Sequence, residues 1–326
     1  MLCVYNDHTD PYFNLAAEEY FFNEYQEDIF RLWRNANTIV VGKHQNTNAE
    51  INVDYVKKKD ITVVRRLSGG GAVFQDLGNI CYTFIATRSD DVTIDFERYT
   101  RPVIEVLQQL GVDARFEGRN DITIEGKKFS GNAQYIRQNR VMHHGTLLFS
   151  SQMTDLSEAL KVNPLKYKDK AVKSVRSRVT NISEHLREPI EVTAFIKMIM
   201  DHILETSPDA ERHDLTGEDI AGIERLMREK YATWDWNFGV SPQYAFHHLT
   251  RTPGGSLEIM MDVSDGIIHD VKIYGDFFSK RDISEIEHAL KQVSHEPEEI
   301  QRALNTFPIG EYFANITLDD LVGAMF

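Results

Sequence analysis

Four segments of this 326-residue chain carry residue types that could bind or move charge. The densest is RRLSGGGAVFQDLGN, Arg65 to Asn79. Its three consecutive glycines admit unusual φ values and let a ligand come close to the backbone. Successive amides there can converge on a phosphate. Arg65 and Arg66 could pair with an anion in forked geometry, with the Ser68 hydroxyl beside them. The spacing is neither GxxxxGK followed by Ser or Thr, nor GxGxxG, so a P-loop and a dinucleotide fingerprint are excluded. A glycine-rich hairpin turn is the alternative reading. In the second segment, GRNDITIEGKKFSGNAQ, Asn120 and Asp121 offer oxygens of the kind Mg2+ accepts beside phosphate. Lys127 and Lys128 precede a small-residue turn, Phe129 to Asn132, from which a lysine could reach a carboxylate or phosphate. The alternative is a pair of solvent-facing lysines. The third segment, MHHGTLLF, pairs His143 with His144. Adjacent residues in a strand face opposite sides, and no further ligand stands at metal spacing, so packing or hydrogen bonding is expected. The fourth, KSVRSRVTN, places Arg176 and Arg178 on one face of an extended segment, where with Lys173 they could clamp a phosphate. It closes a run from Lys161 to Arg178 with seven basic residues against Asp169, which also reads as a solvated basic loop.

The elements that must position these groups show in the hydrophobic pattern. Asn14 can cap a helix over 15–24, although Glu18 and Glu19 interrupt its apolar stripe. Short β-rich runs follow at 29–33, 38–42, 61–67, 72–74 and 80–86. Residues 101–112 have helical spacing and stop at Gly111, after which 121–124 and 145–150 return to strand. Helices are expected over 191–206 and 218–232. Beyond residues 234–244 the composition changes. Strands at 256–263 and 267–275 flank a short hairpin signal, and helices are expected from Asp282, over 296–307 and over 317–325. The pattern predicts an α+β fold with a large domain over 1–243 and a smaller α+β domain over 244–326. Strands and helices do not alternate regularly, which argues against a doubly wound parallel sheet.

Composition bounds the function. The chain is 42% hydrophobic and 26% charged, with a core of ordinary size. A net charge of −14 would repel nucleic acid, so no nucleic-acid partner is expected. No apolar run approaches a membrane span, and the first fifteen residues lack a secretory pattern. Two cysteines, Cys3 and Cys81, build no disulfide framework. A cytoplasmic location is the expectation, with a monomer favoured.

In this order the four segments resemble the lipoate–protein ligase A family, of the biotin and lipoate ligase superfamily. The resemblance runs from DPYFNLAAEE (10–19) and LWRNANTIVVGKHQN (32–46), through the four segments, to WDWNFG (234–239) and a small C-terminal accessory domain. It implies a catalytic domain akin to biotin ligases, with ATP and Mg2+ as cofactors and lipoate as substrate, octanoate being possible. It implies ATP or adenylate contacts at Arg66, Gly71, Ala72, Val73 and Phe74, and an adenylate loop containing Lys173, Arg176 and Arg178. Trp33, Ser68, Gly70 and His144 would border the lipoyl group. Lys128 would sit between the lipoate carboxyl and the nucleotide phosphate, and Asn120 and Asp121 would serve Mg2+. The family's GGGAVFHD reads GGGAVFQD here, so Gln75 cannot take up a proton as a histidine would. KFSGNA stands for the commoner KVSGSA.

The implied chemistry joins lipoate to the α-phosphate of ATP and then passes the lipoyl group to a lysine. The acceptor would be an apo lipoyl domain of a 2-oxoacid dehydrogenase complex or the glycine-cleavage H protein. One rival is ATP-independent acyl transfer through a cysteine thiolate; Cys81, in an apolar run, makes a poor candidate. The other is a non-catalytic lipoate-binding descendant, for which Gln75 is the only support. The run 161–178 is a candidate docking patch for the acceptor.

Overall fold

The computed structural model describes residues 1–88, 95–118, 120–152, 159–160, 179–238, 246–264 and 266–326. An eight-stranded mixed sheet forms the frame, in the order β11-β1-β2-β6-β10-β9-β8-β7. Its strands are β1 (Leu2–Tyr5), β2 (Ile29–Trp33), β6 (Asn79–Thr87), β7 (Ala114–Glu117), β8 (Asp121–Ile124), β9 (Lys127–Arg137), β10 (Arg140–Leu148) and β11 (Glu211–His213). Strand β1 runs parallel to β2 and β11; from β2 outward through β6, β10, β9, β8 and β7 every pairing is antiparallel. A three-stranded sheet, β4-β3-β5, is built from β3 (Thr38–Val41), β4 (Thr62–Arg65) and β5 (Val73–Gln75). The C-terminal part has its own antiparallel sheet of β12 (Phe246–Thr252), β13 (Gly255–Ser264) and β14 (Ile267–Gly275).

Period-two alternation sorts the large sheet's side chains into two layers. Phe30, Leu32, Tyr82, Phe84 and Val141 face a core closed by the helices Glu97–Gln109 and Val192–Thr206. Ile29, Trp33, Cys81 and Met142 face the opposite core, closed by helix α1 (Pro11–Glu24) and by Val40 and Val64 of the small sheet. The C-terminal sheet encloses a separate core drawn from Leu257 to Met325, including Ile286, Ile300 and Leu321 of its helices. The expected 243/244 boundary falls at residues outside those described.

Three expectations change. Helix α1 starts at Pro11, capped by Asp10, whose carboxylate accepts the Tyr12 and Phe13 amides at 2.8 and 3.4 Å. Proline suits the first turn because its missing N–H would find no partner there. Asn14, the expected cap, is wholly buried inside the helix. Residues 127–137 form one long strand where a small-residue turn was expected, so Lys128 projects from β9. Ser-Gly-Asn-Ala gives no apolar alternation, and pairing to both β8 and β10 supplies what pattern does not. The helix expected from 101 begins at Glu97, with Pro102 inside it.

Candidate active site

A cleft opens between the large sheet and the β4-β3-β5 sheet. One part of its wall is apolar, with Leu15, Trp33, Val40, Val73 and Cys81; another is polar, with Asn120, Lys128, Asn132 and Thr146; Gly70, Gly71 and Ala72 border it. Of the expected site residues, Trp33, Arg66, Gly70, Gly71, Ala72, Val73, Asn120, Lys128 and His144 line this one space. Phe74 does not: alternation along β5 turns its ring into the small sheet's core with Ile39 and Val41. Lys173, Arg176 and Arg178 lie outside the described residues.

The two arginines are tied to the protein. Arg65 donates from Nη1 to the carbonyls of Gly42, Lys43 and Gln45, from Nη2 to Thr47 and the Asn237 carbonyl, and from Nε to the Trp236 carbonyl. All its donors are committed, so the forked anion contact expected of it is replaced by a clamp between the segment 42–47 and the short helix Trp234–Asn237. Arg66 donates to Ser68 Oγ at 3.0 Å and through Nη2 to the Gly69 and Gly71 carbonyls at 2.7 and 2.9 Å. It moulds the glycine turn from inside. Burial lowers its pKa to about 10, which leaves it charged at neutral pH. Gly70 adopts φ +93°, a region that favours glycine.

Ser68 is buried and reaches the cleft only through its partners. Its oxygen lies 2.5 Å from His144 Nε2, and His144 Nδ1 lies 2.9 Å from Glu18 Oε1. Thr83 donates to the same carboxylate at 2.6 Å, and the Trp33 indole donates to Thr83 at 3.1 Å. Burial alone would raise the Glu18 carboxyl; the facing His144, with Thr83 and Arg31, holds it below the usual range. An ionised Glu18 accepts the Nδ1 hydrogen of His144, and Ser68, whose oxygen meets Nε2, accepts from Arg66. Sequence reasoning missed Glu18 as a site residue. The break it makes in the apolar stripe of α1 was the available signal.

His143 faces the other layer. It contacts Tyr82, Asn132 and Gln134 and stacks on Tyr99 with ring centroids 5.2 Å apart. Burial, and then His144, hold it well below its ordinary pKa, so it is neutral. Opposite facing disposes of a shared metal, and among the described residues no cluster of three or more His, Cys, Asp or Glu could hold one.

Lys128 Nζ lies 2.7 Å from Asp121, both side chains more than a third exposed. Asn120 and Asn132 bind each other's backbone through their amides, joining β9 to the segment entering β8. The C-terminal part closes on the glycine turn. Gly70 N–H donates to the Phe277 carbonyl at 3.4 Å, and Phe278 packs with Phe96 and Ala133. His44 stacks on Phe277 and meets Ser279 Oγ at 2.8 Å.

A profile of the lipoyl protein ligase A/B catalytic domain matches residues 10–204, and one of the bacterial lipoate protein ligase C-terminus matches 241–325. Lipoate–protein ligase 1 of Staphylococcus aureus is 42% identical over 322 residues, 98% of each chain. The lipoate-protein ligase LplJ of Bacillus subtilis is 41% identical over 331 residues, 100% of each. Among solved structures, P. falciparum LipL1 in complex with lipoate superposes with a TM-score of 0.77 at 26% identity, over 94% of each chain. The bi-partite lipoate protein ligase of Thermoplasma acidophilum, described with its E2 lipoyl domain, gives 0.65 at 28% identity over 75% of this chain and 98% of that one. A lipoate-protein ligase A bound with ATP gives 0.62 at 25% identity, over 74% and 98%. Similarity that runs from end to end at such identity leaves one conclusion: the chain belongs to the lipoate–protein ligase family.

Proposed function

We infer that this protein is an ATP-dependent lipoate–protein ligase. The carboxylate of lipoate attacks the α-phosphate of ATP, forming lipoyl-AMP and releasing pyrophosphate. A lysine amine of the acceptor then attacks the acyl carbon, forms the amide and releases AMP. The observation that carries this reading is the shared cleft: Lys128 lines the same space as the glycine turn and the apolar group of Leu15, Trp33, Val40 and Cys81. An amphiphilic acid with its head at the ammonium and its tail on the apolar wall brings its carboxylate beside a phosphate cradled by the turn.

The first step brings two anions together, and a fixed cation stabilises the charge that develops. Lys128 supplies that cation without forming a covalent bond. Backbone amides of Gly71, Ala72, Val73 and Phe74 are the nucleotide contacts in this reading, with Lys173, Arg176 and Arg178 as further adenylate contacts. Asn120 and Asp121 would hold Mg2+. One carboxylate and one amide oxygen suit a hard cation carried by the nucleotide's phosphates, and the metal would neutralise developing phosphate charge. Transfer through a cysteine is disfavoured because burial pushes the Cys81 thiol well above its ordinary pKa.

The acceptor in this reading is a lipoyl domain of a 2-oxoacid dehydrogenase, and the glycine-cleavage H protein is a second substrate. We place the reaction in the cytoplasm, carried out by a monomer, with 1–243 as catalytic domain and 244–326 as accessory domain. Among the described residues no helix is long and apolar enough to cross a membrane. The test is incubation with ATP, Mg2+ and lipoate, with and without an apo lipoyl domain, followed by acceptor mass and AMP release. Lipoylation with stoichiometric AMP is expected; lipoylation that proceeds without ATP would sink the reading.

A further inference from the structure

Gln75 ends β5 on the face that lines the cleft, and only one end of its buried amide is occupied. Oε1 accepts from Asn35 Nδ2 at 2.8 Å, whereas Nε2 makes no hydrogen bond among the described residues. Side chains behind the wall decide which end faces the cleft. Arg31, 1% exposed, can only donate. Its Nη2 meets Asn14 Oδ1 at 2.5 Å, so the Asn14 oxygen faces the guanidinium. Asn14 Nδ2 then donates to the carbonyls of His8 and Arg34 and to Asn35 Oδ1, at 2.8, 3.0 and 3.0 Å. Asn35 is left with Nδ2 toward Gln75, and Gln75 answers with Oε1. The arginine thus imposes one orientation on three amides in succession. The end left over, Nε2 with two hydrogens, belongs to the cleft.

The apolar wall is Gln75's neighbourhood. Trp33 on β2 and Lys128 on β9 are separated by β6 and β10, three strand spacings or about 14 Å. An acyl chain with its carboxylate at Lys128 therefore carries its far end toward Trp33, Cys81 and Gln75. In lipoate that end bears two sulfurs, which are weak acceptors. In octanoate it is a bare alkyl terminus, and both Nε2 hydrogens would lose water and find nothing. A donor stripped of water and left unpaired is unfavourable. A site built around such a donor rejects the analogue that lacks the acceptor.

We propose that Gln75 is a specificity-determining residue that reads the sulfur-bearing end of the acyl chain and separates lipoate from octanoate. The inference rests on the reading that the acyl chain lies in this cleft. Titration calorimetry of the full-length protein with lipoate and with octanoate tests both. Wild type binds lipoate more tightly. Gln75→Met keeps the length but removes the donor; it weakens lipoate, tightens octanoate and narrows their affinity ratio about tenfold. Asn35→Asp, which does not line the cleft, can only accept, so the Gln75 amide turns over and the ratio narrows likewise. Should the aspartate variant fail to fold, Gln75→Met decides alone. An unchanged ratio in folded Gln75→Met overturns the proposal while leaving the cleft reading intact. Binding of neither acid by wild type overturns that reading and the proposal with it.

Discussion

Lys128 and Glu18 act on different quantities, and their substitutions separate chemistry from stability. The Lys128–Asp121 pair is exposed enough for water to screen it, so it contributes at most about 1 kcal/mol to the fold. Lys128→Ala is expected to leave thermal unfolding almost unchanged and to slow lipoyl-AMP formation by about two to three orders of magnitude. Single-turnover assay of the adenylate checks this; a normal rate would remove the central role given to the ammonium. Glu18 is fully buried, and its folded-state pKa lies below the ordinary 4.5. The unfolded state binds the proton more readily, so the ionised carboxylate stabilises the fold above that value and the contribution is lost as pH falls through the depressed one. Glu18→Gln should lower stability at pH 7 by about 2–3 kcal/mol. Its difference from wild type should shrink below pH 4.5. Denaturant titrations across pH measure both. A gap that stays constant with pH would mean that Glu18 acts by packing alone.

At the level of elements, the glycine turn is held against Gly42, the residue that follows β3. A Cβ on Gly42 would come within 2.0 Å of the Gly70 carbonyl oxygen. No side chain can swing aside there, because the obstacle is backbone that Arg66 and Phe277 also hold. Gly42→Ala is expected to destabilise by about 2–4 kcal/mol and to raise KM for ATP by displacing the turn. The urea midpoint and ATP titration are the measurements. An unaltered KM in a folded variant would show that the turn does not hold the nucleotide. Much of this was legible in advance. The runs at 29–33, 38–42 and 80–86 are strands because β-branched and aromatic residues bounded by turn formers leave little choice. Strand β9 was not legible, because its stabilisation comes from ladders on both sides and not from side-chain alternation.

Across the whole molecule, His44 joins the loop that follows β3 to the C-terminal part. Burial, and then the neighbouring Lys43, lower its pKa to about 3. A base whose folded value lies below its unfolded 6.5 is neutral in the fold, so the unfolded state gains protons first as pH drops. Its contribution is intact above 6.5 and erodes toward 3, with a slope of up to about 1.4 kcal/mol per pH unit. His44→Gln should flatten the acid limb of stability between those values. Chemical denaturation of the full chain at several pH values compares the limbs; equal slopes would show that His44 is not desolvated at this seam. The carbonyl of His44 also receives the Gly275 amide at 2.7 Å, a backbone contact that the variant retains.

By itself the sequence determined the family, the α+β class and nine of the residues that line the cleft. Those depend on residue type and short spacing, which the chain carries locally. Tertiary structure alone decided that Arg65 is a clamp, that Phe74 is core and that Glu18 meets Ser68 through His144. Arg65 and Arg66 are adjacent and identical in type, and nothing local distinguishes the one that serves as a clamp from the one that shapes the glycine turn. The orientation of Gln75 is set through Asn35, Asn14 and Arg31, residues forty or more positions upstream. Hydrogen-bond polarity passes through space, so only the folded chain fixes which atom of that amide meets the substrate.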